Sequence, residues 1–90
     1  MPELWMTYLL LCADGQIYCG VTNAMEKRLV AHNRGVASRF TRGRLPVTLL
    51  ATSRAIGKAE AFRLEYRIKR LPKKKKRAAL TSAQRRPRTG

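Results

Sequence analysis

The pattern of apolar and polar positions predicts three strands. Residues 4–12 are almost all apolar, which is typical of a strand buried on both faces. Ala13–Asp14–Gly15 is a turn signal, and 16–22 fits the returning strand of a hairpin. Residues 47–52, rich in Val, Thr and Leu, favour a third strand. Between them, 36–46 has no periodicity and is predicted to be a basic loop or to contain a short turn.

Helical spacing of apolar residues follows the hairpin and then the third strand. A helix is predicted over 24–34, with Asn23 as its N-cap and Gly35 as its terminator. A longer helix is predicted from about Lys58 to Leu71, where the apolar positions form one stripe. The order is therefore β-β-α-β-α with a short C-terminal helix. This order indicates an α+β fold, a small three-stranded antiparallel sheet flanked by helices.

The C-terminal part of the chain changes in composition. Pro72 interrupts the long helix and can open a short basic helix that runs through Leu80. Beyond it the chain is rich in Ser, Pro, Thr, Gly and Arg, which is typical of a disordered tail. We therefore expect one domain over 1–81 and a basic, disordered tail over 82–90.

Composition limits the class of protein. The chain has 90 residues with 20 Lys and Arg against 5 Asp and Glu, a net charge of +15. That length allows one small domain, and that charge implies a polyanionic partner, above all nucleic acid. There is no apolar run of 18 residues, and Met1–Pro2–Glu3 does not begin a signal peptide, so we expect a soluble, cytoplasmic protein with no membrane partner. Cys12 and Cys19 are too few for a disulfide framework, and no His or Cys cluster has zinc spacing.

The positive charge is concentrated in two clusters, whereas residues 4–22 carry no basic residue. A single charge run is most often a solvated helix face, but two clusters far apart in sequence favour phosphate contact. We expect DNA as the partner, with RNA as the alternative. The predicted nucleic-acid-binding residues are Arg39, Arg42 and Arg44 in the loop and Lys73, Lys74, Lys75, Lys76 and Arg77 in the C-terminal run.

Four polar residues stand out within the apolar elements. Tyr8 and Tyr18 lie in the middle of the two hairpin strands, and Arg28 and His32 are four residues apart on one helix face. The ordinary explanations are two core tyrosines with satisfied hydroxyls and a solvent-facing pair, or a histidine packed at the helix edge. Together, however, they supply a phenol, a guanidinium and an imidazole, which phosphodiester cleavage can use.

Glu65 flanks the apolar stripe of the long helix, so its carboxylate is partly desolvated and needs a cation partner. The ordinary partner would be Arg67 or Lys69 on the same helix. A single carboxylate also suits Mg²⁺ or Mn²⁺, because Mg²⁺ keeps most of its waters and takes one or two carboxylates plus phosphate oxygens. The chain has five acidic residues, and of the other four only Glu60 is placed near enough to contribute to the same site. The carboxylates are therefore too few for a site with two metals.

In combination, these residues resemble the GIY-YIG nuclease superfamily and, within it, its small stand-alone bacterial branch, the YhbQ-like proteins. The resemblance covers the chain to about residue 82. Met6–Thr7 stands where the family has Gly-Ile, Cys19 replaces Ile, and no Asn follows Asn33, although many members carry a late Asn. The matching segments are Tyr8–Gly15, Tyr18–Thr22, Lys27–Arg28, His32–Gly35, Phe40–Arg44, Pro46–Val47 and Glu65 within 60–69.

The resemblance implies a metal-dependent endonuclease or structure-selective nuclease that hydrolyses DNA phosphodiester bonds, with a role in DNA repair or recombination. It implies that Tyr8 and Tyr18 line one active site, where one of them is the general base. Arg28 would hold the scissile phosphate, and His32 would be the polar residue one turn later. Glu65 would be the single ligand of Mg²⁺ or Mn²⁺.

If Tyr8 and Tyr18 line one active site, the length of the hairpin loop is constrained. A two-residue turn would put Tyr8 and Tyr18 on opposite faces of the sheet, because successive side chains alternate. A three-residue loop, with Gly15 bulged in the left-handed region, instead pairs Tyr18 with Leu10, so that both tyrosines share a face. We therefore predict the three-residue loop.

Two other functions are compatible with the charge. One is a non-catalytic basic module that binds DNA or RNA and has a nuclease-like fold, and the other is a basic structural protein, for instance one bound to ribosomal RNA. A binder has no use for a desolvated carboxylate such as Glu65 facing a polyanion, since it repels phosphate unless a cation intervenes. The nuclease is therefore the favoured prediction.

Overall fold

The computed structural model describes residues 3–84. Its strands form one antiparallel sheet in the order β2-β1-β3, with helices on both faces, so the predicted α+β fold is confirmed. The elements in chain order are β1 Met6–Leu11, β2 Ile17–Thr22, α1 Met25–Asn33, α2 Arg39–Arg42, β3 Thr48–Thr52, α3 Lys58–Lys69 and α4 Lys73–Gln84.

The sheet separates two clusters of buried side chains. Leu9 of the central strand belongs to the cluster under α3 and α4, together with Leu64 and Leu80. Tyr8 and Leu10 belong to the other cluster, on the face that α1 covers. Helix α2 packs against α1. The central strand is therefore apolar on both faces, which is why its sequence shows a continuous run rather than alternation.

The hairpin has the predicted three-residue loop. Tyr18 is paired with Leu10, and the Cys12 N–H donates to the Gln16 carbonyl at 2.9 Å. Gly15 has φ +87°, in the left-handed region that glycine adopts without a steric penalty. The tyrosines of β1 and β2 consequently share the face that α1 covers.

The predicted N-cap of α1 is wrong. Ala24 occupies the N-cap position without a side-chain hydrogen bond. The Asn23 amide instead donates to Glu3 Oε2 at 2.8 Å, a tertiary contact that takes the side chain away from the helix. Gly35 follows the helix with φ +78°, as its predicted role as terminator requires.

The last helix continues beyond its predicted end at Leu80 to Gln84. The predicted tail over 82–90 thus begins inside α4, and its remaining part, 85–90, lies outside the described residues. Over residues 3–84, every helix is too short or too polar to cross a membrane.

Candidate active site

A buried aromatic cluster joins β1, β2 and α1 on one face of the sheet. The Tyr8 hydroxyl lies 2.8 Å from His32 Nε2, and both side chains are fully buried. The half-buried Tyr18 ring stands edge-on to the imidazole, with ring centroids 5.1 Å apart. Three of the predicted site residues are therefore together, and the interpretation of His32 as solvent-facing is wrong.

Helix α2 closes this cluster with residues that sequence reasoning missed. Thr41 is fully buried, and its Oγ1 lies 2.8 Å from His32 Nδ1. Ser38 is the N-cap of α2, where its Oγ accepts from the Thr41 N–H at 3.1 Å. Phe40 packs on Tyr18 with ring centroids 5.9 Å apart. The available signal was a serine that precedes a short polar segment, which is a common N-cap pattern.

Burial shifts the proton affinities of the Tyr8–His32 pair in opposite directions. It raises the pKa of Tyr8 to about 12, although the neighbouring Arg28 guanidinium acts in the opposite direction. Burial also lowers the pKa of His32, and the positive charge of Arg28 lowers it further. Both side chains are consequently neutral near pH 7, as a phenol next to an imidazole that carries one proton.

Arg28 lies beside this pair on α1 and is half-buried. Its Nε is buried and, within residues 3–84, has no hydrogen-bond partner. A buried guanidinium N–H without an acceptor is costly, and an anion such as phosphate would satisfy it. The predicted role of Arg28 in holding a phosphate thus fits its surroundings.

Glu65 is placed differently. It lies on α3, and its carboxylate forms an ion pair with Lys69 at 3.2 Å. Its charge reaches Cys19 of β2, whose pKa is raised to about 12 by burial and, to a smaller extent, by Glu65. In the described part of the chain, no hydrogen bond or ion pair joins Glu65 to the tyrosine cluster. The ordinary ion pair considered from the sequence is therefore present.

The surroundings of the Glu65 carboxylate suit divalent cations that take few protein ligands, but not those that take many. Its side chain is 18% exposed, so one carboxylate can be reached from solvent. Among the described residues, no group of three His, Cys, Asp or Glu side chains could hold a metal. A single accessible carboxylate fits Mg²⁺ or Mn²⁺, whose other positions are filled by waters and phosphate oxygens. It does not fit a cation that requires a full protein ligand set.

The basic residues of α2 and of the turn after it differ in how far they are engaged. Arg39 and Arg42 are exposed on the same side of the sheet as the tyrosine cluster. Arg44 has several partners: its Nε lies 3.0 Å from Asp14 Oδ2, its Nη1 donates to the Phe40 carbonyl at 2.9 Å, and its guanidinium covers the Phe40 ring. Arg44 therefore stabilises the loop, whereas Arg39 and Arg42 are available to a ligand.

The C-terminal basic run lies on α4, on the opposite side of the sheet. Lys76 Nζ donates to the carbonyls of Ile68 and Lys69 at 3.0 and 3.1 Å, at the end of α3. Its charge thus neutralises the exposed carbonyls of a helix C-terminus. The remaining members of the run are exposed: Lys73, Lys74, Lys75 and Arg77.

Comparisons with known proteins agree with these motifs. A family model described as the GIY-YIG catalytic domain matches residues 4–78. A UPF0213 protein of Nitratidesulfovibrio vulgaris is 54% identical over 80 residues, 89% of this chain and 73% of that protein. A UPF0213 protein of Xanthomonas axonopodis pv. citri is 46% identical over 94% of this chain and 80% of its own length. The solution NMR structure of a UPF0213 protein from Bacillus halodurans has a TM-score of 0.53 at 38% identity, covering 88% of this chain and 84% of that one.

Proposed function

The chain belongs to the GIY-YIG family, and from this premise we propose that it is a nuclease that hydrolyses DNA phosphodiester bonds with Mg²⁺ or Mn²⁺. The observation that carries the proposal is the 2.8 Å contact between the Tyr8 hydroxyl and His32 Nε2, with the Arg28 guanidinium beside it. In the cell, such an activity would serve DNA repair or recombination. Cleavage needs a proton acceptor for water and a cation for the phosphate, and this cluster contains both.

In the proposed reaction, water attacks phosphorus and the bond from phosphorus to the leaving oxygen breaks. The Tyr8 oxygen takes a proton from the attacking water and passes its own proton to His32 Nε2. This transfer suits a phenol whose pKa is raised to about 12, because such a phenol accepts a proton only as it releases one. The leaving oxygen takes a proton from solvent, and His32 later returns its proton to solvent through Tyr8.

Arg28 controls access in this proposal. Tyr8 is fully buried, so water reaches its hydroxyl only after a neighbouring group moves, and Arg28 lies beside that hydroxyl. A phosphate that bonds to the Arg28 guanidinium, including its unpartnered Nε, would draw it outward and uncover the phenol. Binding of the scissile phosphate would thus precede proton transfer.

Glu65 would hold the divalent cation. When bound, this ion would neutralise negative charge on the phosphate as the phosphorus–oxygen bond breaks. The Lys69 side chain would have to move away from the Glu65 carboxylate to make room for the cation, since Lys69 Nζ lies 3.2 Å from Glu65 Oε2. The Glu65–Lys69 pair therefore keeps the carboxylate neutralised until substrate arrives.

The central test is a cleavage assay on labelled single-stranded, duplex and branched DNA with Mg²⁺, with Mn²⁺ and with chelator. We expect Glu65→Ala to abolish metal-dependent cleavage while DNA affinity stays equal or rises, because a negative charge near phosphate is removed. The matched control is Glu60→Ala, an exposed carboxylate on the same helix, which should cleave as the unmodified protein does. Cleavage that survives Glu65→Ala would contradict the proposed metal site.

The same assay assigns the general base. Tyr8→Phe should lower kcat by about 10²- to 10⁴-fold, since the acceptor of the water proton is removed. Tyr18→Phe changes a half-buried ring whose hydroxyl makes no hydrogen bond within the described part of the chain, and should cost less. The reverse ranking would make Tyr18 the base and Tyr8 a support for His32.

A second candidate is a non-catalytic module that binds DNA or RNA. The observation in its favour is the Glu65–Lys69 ion pair, which already satisfies the only carboxylate proposed to bind metal. For such a module, the unmodified protein would bind all substrates and cleave none with either metal. Its binding would also be indifferent to Glu65→Ala beyond the loss of one charge.

A further inference from the structure

A line of buried polar atoms extends from Tyr8 through His32 to the start of α2. His32 Nδ1 lies 2.8 Å from Thr41 Oγ1, and Thr41 Oγ1 lies 3.0 Å from Ser38 Oγ and 3.5 Å from the Ser38 carbonyl oxygen. His32 and Thr41 have no exposed surface. The two ring nitrogens of His32 are thus each opposite one hydroxyl, and bulk water competes with neither.

The hydrogen bonds of Thr41 are coupled to the position of the imidazole proton, because either Thr41 Oγ1 or Ser38 Oγ can be the donor in the 3.0 Å contact between them. A threonine hydroxyl has one proton to donate, and the Ser38 carbonyl can only accept. The Ser38 Oγ already accepts from the Thr41 N–H. If the Thr41 hydroxyl donates toward Ser38, its lone pair accepts from Nδ1–H of His32, which leaves Nε2 free to accept the Tyr8 proton. If it donates to Nδ1 instead, Nε2 carries the proton and cannot act as that acceptor.

We propose that Thr41 is a positioning residue that keeps the His32 proton on Nδ1, so that Nε2 faces Tyr8 as a hydrogen-bond acceptor. The tautomer itself is independent of any enzymatic activity, whereas its catalytic consequence rests on the proposed nuclease function. Arg39 and Arg42 are carried by the same four-residue helix and are exposed. The element proposed to meet the phosphate backbone is thus also the element that orients the imidazole.

The test uses the fact that the chain contains a single histidine, so both ring nitrogen signals belong to His32 and only Nδ1 and Nε2 have to be told apart. Nitrogen-15 NMR of the full chain at pH 7.5 should show Nδ1 protonated and Nε2 unprotonated. Thr41→Val has the same shape without the hydroxyl and should lose this signature, giving a mixture of tautomers or the Nε2–H form. Thr41→Ser keeps the hydroxyl and should restore it. An unchanged Nδ1–H signature in Thr41→Val would overturn the proposal.

A second variant covers the case in which Thr41→Val does not fold. Ser38→Ala removes one acceptor of the Thr41 proton and should shift the signal toward the Nε2–H form, whereas an unaltered signal would count against the proposal. In cleavage assays, Thr41→Val should lower kcat by about tenfold or more with KM unchanged, and Thr41→Ser should recover it. If Thr41 had a purely structural role, Thr41→Val and Ser38→Ala would both be less stable than the unmodified protein, but the tautomer of His32 would not change. Absence of cleavage in the unmodified protein would contradict the nuclease proposal and leave the NMR test of Thr41 decisive.

Discussion

The phenol of Tyr8 lies directly across the backbone of Gly20, its partner on the neighbouring strand. A Cβ placed on Gly20 would stand 2.5 Å from Tyr8 Oη and 2.6 Å from its Cζ, closer than carbon and oxygen atoms approach without a bond. The glycine after Tyr18 and Cys19 is therefore required by space rather than by backbone conformation. It leaves room for the Tyr8 side chain beside the Gly20 backbone, from where the hydroxyl reaches His32.

Gly20→Ala should displace the Tyr8 ring and break its hydrogen bond to His32. Because the contact atoms belong to a fully buried ring, we expect a decrease of about 1–3 kcal/mol in the free energy of unfolding. Urea denaturation measures it, with Gly43→Ala as control, since a Cβ at Gly43 meets nothing within 4 Å. Equal stability of the two variants would mean that Tyr8 repacks at no cost.

Protonation of His32 should make stability depend on pH. Burial and Arg28 lower the pKa of His32 in the folded chain, whereas in the unfolded chain it is about 6.5. Below that pH the unfolded chain binds a proton that the folded chain does not, so the free energy of unfolding decreases as pH falls. The decrease is at most about 1.4 kcal/mol per pH unit and ends once pH has passed below the folded pKa.

The check is denaturation of the unmodified protein and His32→Gln between about pH 5 and pH 7.5. The variant has no histidine, so its stability should be nearly constant over this interval even if its absolute value is lower. Within residues 3–84, the charged and titratable groups that face His32 are Tyr8, Tyr18 and Arg28. A similar slope in both proteins would assign the effect to other groups.

The sequence predicted those parts of the site that follow from periodicity and turn chemistry. The shared face of Tyr8 and Tyr18 followed from the length of the hairpin loop, because strand side chains alternate. The contact between His32 and Thr41 could not be predicted in this way, since the intervening segment has no periodicity. The cap at Asn23 was predicted wrongly because local capping preference does not include a tertiary partner such as Glu3, which takes its amide.

The two basic surfaces should contribute differently to binding and cleavage. Arg39 and Arg42 lie on the side of the tyrosine cluster, whereas the exposed lysines of α4 lie across the sheet. Neutralising Lys73, Lys74 and Lys75 should weaken DNA binding and make log K fall less steeply with log salt. The slope should change by about 0.9 for each phosphate that is no longer neutralised on duplex DNA, or by about 0.7 on single strands. Arg39→Gln with Arg42→Gln should reduce cleavage as well, beyond the decrease in affinity.

Binding titrations at several salt concentrations, together with single-turnover cleavage at saturating protein, separate these effects. A salt slope that does not change in the lysine variant would identify that run as a solvated helix face. If the arginine variant cleaves at the normal rate once DNA is saturated, α2 contributes to binding alone.

Lys76 and Lys75 are adjacent, yet they should have opposite roles. Lys76 Nζ donates to two carbonyls at the end of α3, whereas Lys75 is exposed. Lys76→Met keeps the apolar stem but removes the donors, so it should lower the free energy of unfolding by about 1 kcal/mol. Lys75→Met should leave stability unchanged and weaken DNA affinity instead. Denaturation and DNA titration of both variants test this difference. If Lys76→Met loses as much DNA affinity as Lys75→Met and no stability, Lys76 is a DNA-binding residue. If Lys76→Met instead loses stability and less affinity than Lys75→Met, this lysine of the run of four stabilises the C-terminus of α3. Its charge then neutralises the helix end in the absence of phosphate.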